Sequence, residues 1–142
     1  MNKNLTEMIF IMDRSGTMQN LVSDTIGGYN SMIDKQRCEN GEASITTVLF
    51  DDQYEVLFDN VDIKKVSELT NKEYYARGMT ALLDAIGKTI NQVAARHNNS
   101  VDSAVPAKTV VVIITDGMEN ASRRYTSNEI KEKIKRQREK YG

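Results

Sequence analysis

The chain has 142 residues, 39% of them hydrophobic and 27% charged, with 19 basic against 20 acidic side chains. That length suits one domain around one core. A net charge of −1 gives no bulk attraction to nucleic acid or to an acidic membrane surface, and no stretch reaches the roughly 18 apolar residues of a membrane span.

The start, Met1-Asn2-Lys3-Asn4, lacks the charged, apolar and small-residue pattern of a signal peptide. Glu7 to Asp13, "EMIFIMD", is a nearly continuous apolar run, as in a parallel strand buried on both faces. From Thr17 to about Cys38, Met18, Leu21, Val22, Thr25, Tyr29, Met32 and Ile33 recur at spacings of three and four, one face of a helix. Gly27 and Gly28 interrupt it at a cost in helix stability, which close packing on the sheet would explain. Asn40-Gly41 signals a turn. "ASITTVLF" (43–50) and "YEVLFDNV" (54–61) follow, linked by Asp51-Asp52-Gln53. A link that short makes them an antiparallel hairpin. The first strand and 43–50, separated by a long helix, are expected to be parallel neighbours.

Residues 62–78 are polar, with a short helical turn expected within 63–69. Thr80 opens a second helix whose apolar face is Leu83, Ile86, Ile90, Val93, Ala94 and His97. After a polar loop containing the single Pro106, "TVVVIIT" (109–115) is the most β-branched run of the chain and reads as another central strand. Thr126-Ser127-Asn128-Glu129 matches a capping box at the head of a basic last helix. Alternating strands and helices predict a three-layer α/β sandwich, its mostly parallel sheet carrying one antiparallel edge hairpin. Ligands of such sheets sit beyond the carboxyl ends of the strands, where Asp13 and Asp116 lie.

Asp13, Ser15 and Thr17 stand on alternate positions of "DRSGT". Alternate residues of an extended loop point the same way, so three oxygens can converge, and Gly16 lets the loop turn. Several small oxygen ligands suit Mg²⁺; no Cys–His cluster suggests zinc. Thr80 in "RGMTALLDAI" and Asp116 in "VVVIITDG" are two more oxygen donors at the same sheet edge. Read alone, Asp13, Ser15 and Thr17 could equally cap the first helix.

With "DRSGT", the Thr80 of "GMTALLDA" and "ITDG" in this order, the chain resembles the von Willebrand factor A domain, the fold shared with integrin inserted domains. "VLFDDQYEVLF" and "DGMENASRRYT" look like a bacterial, intracellular branch of that family. The resemblance implies one Rossmann-like domain over residues 5–142 and a metal-ion-dependent adhesion site. In that site Ser15 and Thr17 (Ser is usual at the latter position) would bind the metal through their hydroxyls. Asp13 and Thr80 would bind directly or through water, and Asp116 mainly through water. The cation would be Mg²⁺, with Mn²⁺ or Ca²⁺ as alternatives. The implied function is non-enzymatic: the metal recruits an Asp or Glu carboxylate of a partner protein, with no nucleic acid or membrane involved.

A reading from another class is a Mg²⁺-dependent phosphotransferase. "DRSGT" is similar to the D-x-D-G-T loop of haloacid-dehalogenase-like phosphatases, where the first Asp is the nucleophile. Here Ser15 replaces the second Asp, and Ser is a poor proton shuttle at neutral pH. A nucleotide-binding P-loop fails for want of its motif. Asp51 and Asp52 read as a polar turn, Asp84 as solvent-facing, His97 as a partly buried packing residue, and Lys131 to Lys140 as a solvated face. Glu119, Arg123 and Arg124 are candidates for the rim of a partner contact. The lone Cys38 forms no internal disulfide, which fits a reducing cytoplasm; an exported chain trimmed of its signal would look the same. Measured against the family, the last strand–helix units are missing after Gly142. That leaves Val110–Ile114 as an open edge, and the expectation is a homodimer through that edge or through exchange of the terminal helix.

Overall fold

The computed structural model describes residues 2–39, 41–99 and 106–115. Four strands, β1 (Asn2–Asp13), β2 (Glu42–Phe50), β3 (Tyr54–Asp62) and β4 (Pro106–Ile114), form one sheet in the order β3-β2-β1-β4. β1 pairs in parallel with β2, from Leu5↔Glu42 to Asp13↔Phe50, and with β4, as far as Met12↔Ile114. β3 returns antiparallel to β2. The α/β fold, with one antiparallel pair in an otherwise parallel sheet, is therefore the architecture expected from the alternation.

Two helices, α1 (Val22–Arg37) and α2 (Leu82–Asn99), cover opposite faces of β1. Met8, Phe10 and Met12 pack with Tyr29 and Ile33 of α1. Ile9 and Ile11 pack with Ala85, Ile86 and Val93 of α2. Successive side chains of a strand point to opposite faces, so a strand covered on both needs an unbroken apolar run. Phe10 meets Tyr29 edge to face at 4.9 Å, and the Tyr29 hydroxyl shares a 2.9 Å hydrogen bond with Thr47 on β2. The chain leaves β1 toward β2 and returns on the other side of β1 as β4. Strand order thus reverses at β1, the place where such sheets form sites.

Several local expectations need correction. α1 does not start at Thr17: Gly16–Leu21 is a 3-10 helix, tighter than the α-helix that the apolar spacing suggested, and Leu21 remains 41% exposed. A Cβ built on Gly27 or Gly28 would meet nothing within 4 Å, so close packing on the sheet does not explain either glycine. α2 begins at Leu82, two residues after Thr80. Its buried stripe runs through Ala85, Ile86, Thr89, Val93 and His97, while Leu83, Ile90 and Ala94 are half-buried.

His97 is more than a packing residue. It is 5% exposed, and its Nε2 lies 2.9 Å from Oε1 of Glu7, a carboxylate that is fully buried and also ion-paired with Arg96. Asp84 is half-buried rather than solvent-facing. Among the described residues β4 is the outermost strand on its side, with Val111 46% and Ile113 38% exposed. The expected last helix, its basic run, Glu119, Arg123 and Arg124 lie outside the described residues, and no helix among the described residues is long and apolar enough to cross a membrane.

Candidate metal centre

β1 delivers Asp13 to the carboxyl edge of the sheet, fully buried. Its Oδ1 accepts the Ser15 N–H at 2.8 Å, the local turn typical of an Asp two residues before its donor. Its Oδ2 accepts the Thr115 hydroxyl at 2.8 Å, from the residue that follows β4. Each carboxylate oxygen thus has its own donor. Among the described residues no Lys, Arg or His forms an ion pair with Asp13. A buried carboxylate without a cation is costly.

Ser15 occupies the N-cap position of the 3-10 helix, yet its side chain makes no cap hydrogen bond. Its hydroxyl lies instead 2.9 Å from the Thr17 hydroxyl. Ser15 is fully buried and Thr17 is exposed, so the pair runs from the interior to the surface. The capping alternative therefore does not account for these two hydroxyls.

Residues 74–81 run beside this loop. The Arg77 N–H donates to the Arg14 carbonyl at 2.7 Å, and the Gly16 N–H donates to the Gly78 carbonyl at 3.0 Å. The Tyr74 hydroxyl, fully buried, donates to the Asp13 carbonyl. Thr80, also fully buried, follows at once, and the Ala81 N–H is held by the Asp51 carbonyl at 2.9 Å.

Asp51 belongs to the hairpin turn, as expected, but it is a buried hub rather than a polar surface residue. It is 2% exposed. Its Oδ1 accepts from Arg14 Nε at 3.4 Å and from the Gln53 N–H at 3.1 Å, and its Oδ2 accepts from Arg77 Nε at 3.1 Å. Arg14, itself 2% exposed, reaches on to Glu55 at 2.5 Å. Gly78 sits at φ +71°, where a Cβ would lie 2.5 Å from Asp51 Oδ2 and 2.6 Å from Asp52 Oδ1. Glycine is required there both by the backbone and by the space.

Of the five residues singled out in the sequence, Asp13, Ser15 and Thr17 come together in one loop, and the Thr80 loop is hydrogen-bonded to it. Asp116, next in the chain after Thr115, lies outside the described residues. Four contributors escaped the sequence reading: Thr115, Tyr74, Asp51 and Gly78. Only Gly78, beside the Thr80 motif, carried a local signal; the other three act through contacts 26 to 102 residues apart in the chain.

The model of the von Willebrand factor type A domain matches residues 7–141. The chain belongs to that family. Solved structures agree on the fold. The ArnB paralog VWA2 from Sulfolobus acidocaldarius is 18% identical, with a TM-score of 0.58 over 85% of this chain and 29% of its own. A von Willebrand factor type A protein from Catenulispora acidiphila is 14% identical, with a TM-score of 0.61 over 96% and 31%. Proximal thread matrix protein 1 from the mussel byssus is 19% identical, with a TM-score of 0.57 over 94% and 33%. The chain spans about a third of the length of these proteins. Among curated protein sequences no match was found.

The donors of this domain fit a small divalent cation. Two cis oxygens of an octahedron with metal–oxygen distances of about 2.0–2.1 Å stand about 2.9 Å apart. Ser15 Oγ and Thr17 Oγ1, which share a hydrogen bond, are separated by the same 2.9 Å. Among the described residues no three His, Cys, Asp or Glu side chains gather.

Proposed function

We propose that this domain is a non-enzymatic, metal-dependent protein-binding module. Ser15 and Thr17 would hold Mg²⁺ through their hydroxyls, aided by Asp13, Thr80 and, on the family likeness, Asp116. The observation that carries the reading is the hydroxyl pair at octahedral-edge spacing beside a buried Asp13 that no described side chain neutralises.

A cation held mainly by neutral hydroxyls keeps much of its charge and can accept a carboxylate in its remaining coordination position. The chain's own part is to prepare that position. Thr115 and the Ser15 N–H orient Asp13. The Tyr74 hydroxyl anchors the Asp13 carbonyl, and the bonds from Gly16 and Arg77 hold the Thr80 loop in place. A partner's Asp or Glu is the matching ligand, because a carboxylate makes short charge-assisted bonds that neutral groups do not. Metal affinity is expected to be weak in the free domain and to rise with the acidic ligand bound, since the two are thermodynamically linked. The exposed lone Cys38 suits a reducing compartment, and a cytoplasmic location is part of the proposal.

An array of acidic peptides probed with Mg²⁺, with a chelator, and with Asp13→Ala tests the reading. Binding that needs Mg²⁺ and Asp13 is expected. A generic phosphatase assay separates the other class: Mg²⁺-dependent turnover abolished by Asp13→Asn would overturn the binding-module reading.

A further inference from the structure

Asp51 is not part of the proposed oxygen set, yet it contacts both the Asp13–Thr17 segment and the Thr80 segment. Its carboxylate joins Arg14, which lies between Asp13 and Ser15, to Arg77, which lies three residues before Thr80. Its carbonyl holds the Ala81 N–H at 2.9 Å, immediately after Thr80, and its own N–H closes the hairpin turn onto Gln53 at 3.0 Å. Arg77 is gripped three times, by its side chain on Asp51 and on the Gln53 side chain and by its backbone on the Arg14 carbonyl. The bare Gly78 leaves the room that the Asp51 and Asp52 carboxylates fill.

Placing one buried and one part-exposed guanidinium on a single buried carboxylate adds little stability. It does fix geometry, because the planar forks of Arg set direction as well as charge. From this placement we infer that Asp51 is a positioning residue. Through Arg14 and Arg77 it sets the Thr80 loop against the Asp13 loop, and so sets the affinity of the site for its cation. The inference rests on the metal reading above and adds a residue to it that binds neither metal nor partner.

Charge alone makes a different prediction from positioning. Removing the Asp51 charge weakens cation binding in either case. Removing the Arg77 charge would strengthen cation binding if only the field mattered, but weakens it if the clasp matters. Arg77 is 39% exposed, so Arg77→Gln is expected to fold even if Asp51→Asn does not.

The test is Mn²⁺ affinity of the whole chain, measured from the free Mn²⁺ signal in electron paramagnetic resonance, well below the melting temperature of each variant. Asp51→Asn is expected to weaken Mn²⁺ binding about tenfold, in the range found when groups that orient metal ligands are removed, and Arg77→Gln somewhat less, since the Arg14 contact to Asp51 remains. Glu55→Gln, which removes a half-exposed partner of Arg14 that does not touch the Thr80 loop, is expected to change it by less than about twofold. Tighter or unchanged Mn²⁺ binding in Arg77→Gln overturns the inference, as does a Glu55→Gln loss equal to that of Asp51→Asn. An Asp51→Asn variant that melts earlier but binds Mn²⁺ like the parent shows a merely structural residue and also overturns it. If the parent chain binds no Mn²⁺, the metal reading itself fails. If the parent binds and Asp13→Ala does not while Asp51→Asn does, only the positioning role is lost.

Discussion

Gly78→Ala tests whether the loops around the candidate site are as tightly fastened as their contacts imply. Residue 78 sits at φ +71°, which costs an L-residue about 1 kcal/mol. The new methyl would lie 2.5 Å from Asp51 Oδ2 and 2.6 Å from Asp52 Oδ1. Asp52 is exposed and can turn aside. Asp51 cannot, because Arg14, Arg77 and the Gln53 N–H hold it. Displacing it gives up at least one charge-assisted hydrogen bond, about 2 kcal/mol. The expected loss is therefore roughly 3 kcal/mol, read as a shift in the urea midpoint at constant slope. In an Asp51→Ala background the clash is gone, and Gly78→Ala should cost only about 1 kcal/mol. Equal costs in the two backgrounds would refute the reasoning, since the methyl and the Asp51 carboxylate would then not compete for the same space.

Three further outcomes follow from other parts of the fold. Glu7→Gln should destabilise by about 3 kcal/mol in chemical denaturation, because it strips the charge from a buried carboxylate paired with Arg96 and His97; a loss within experimental scatter would mean those pairs add nothing. Gly28→Ala should stabilise α1 by up to about 1 kcal/mol, since the added methyl meets no atom within 4 Å; a destabilised variant would contradict that open space. Burial pushes the Tyr29 phenol above its ordinary value of 10.0, with the Thr47 hydrogen bond and the Arg37 charge partly offsetting it. A raised acid stays neutral in the fold while the unfolded chain ionises. Its stabilising share is therefore complete below pH 10.0 and lost as pH rises through the higher folded value. Tyr29→Phe should accordingly show a shallower fall in melting temperature above pH 10 than the parent, and parallel curves would remove Tyr29 from the account.

What the sequence made legible follows from the range over which each cause acts. The continuous run Glu7 to Asp13 declared a strand buried on both faces, because a covered strand has no polar side. The alternate oxygens of "DRSGT" suggested convergence along an extended chain; the Ser15 and Thr17 hydroxyls do meet, but with Thr17 in the first turn of a 3-10 helix. The hairpin was equally local, its turn being only three residues long. Asp51 was different. Its neighbours in the chain look like any polar turn, and only folding shows that Arg14, 37 residues away, points at it. Glu7 and His97 are 90 residues apart, so each looked like an ordinary member of its own element. Apolar spacing of three and four does not distinguish the two 3-10 turns of Gly16–Leu21 from an α-helix, so it does not fix where α1 starts. Gly27 and Gly28 were given a packing reason that the structure removes, since what a glycine faces is a property of the assembled layers.

In the proposed site Asp13, Ser15, Thr17 and Thr80 would share one divalent cation. Residue-resolved amide shifts during a Mg²⁺ titration address it most directly. A saturable one-site response concentrated on residues 13–17 and 77–81 is expected, and its loss in Asp13→Ala. Shifts spread over the acidic surface, or a response that survives Asp13→Ala, would contradict it.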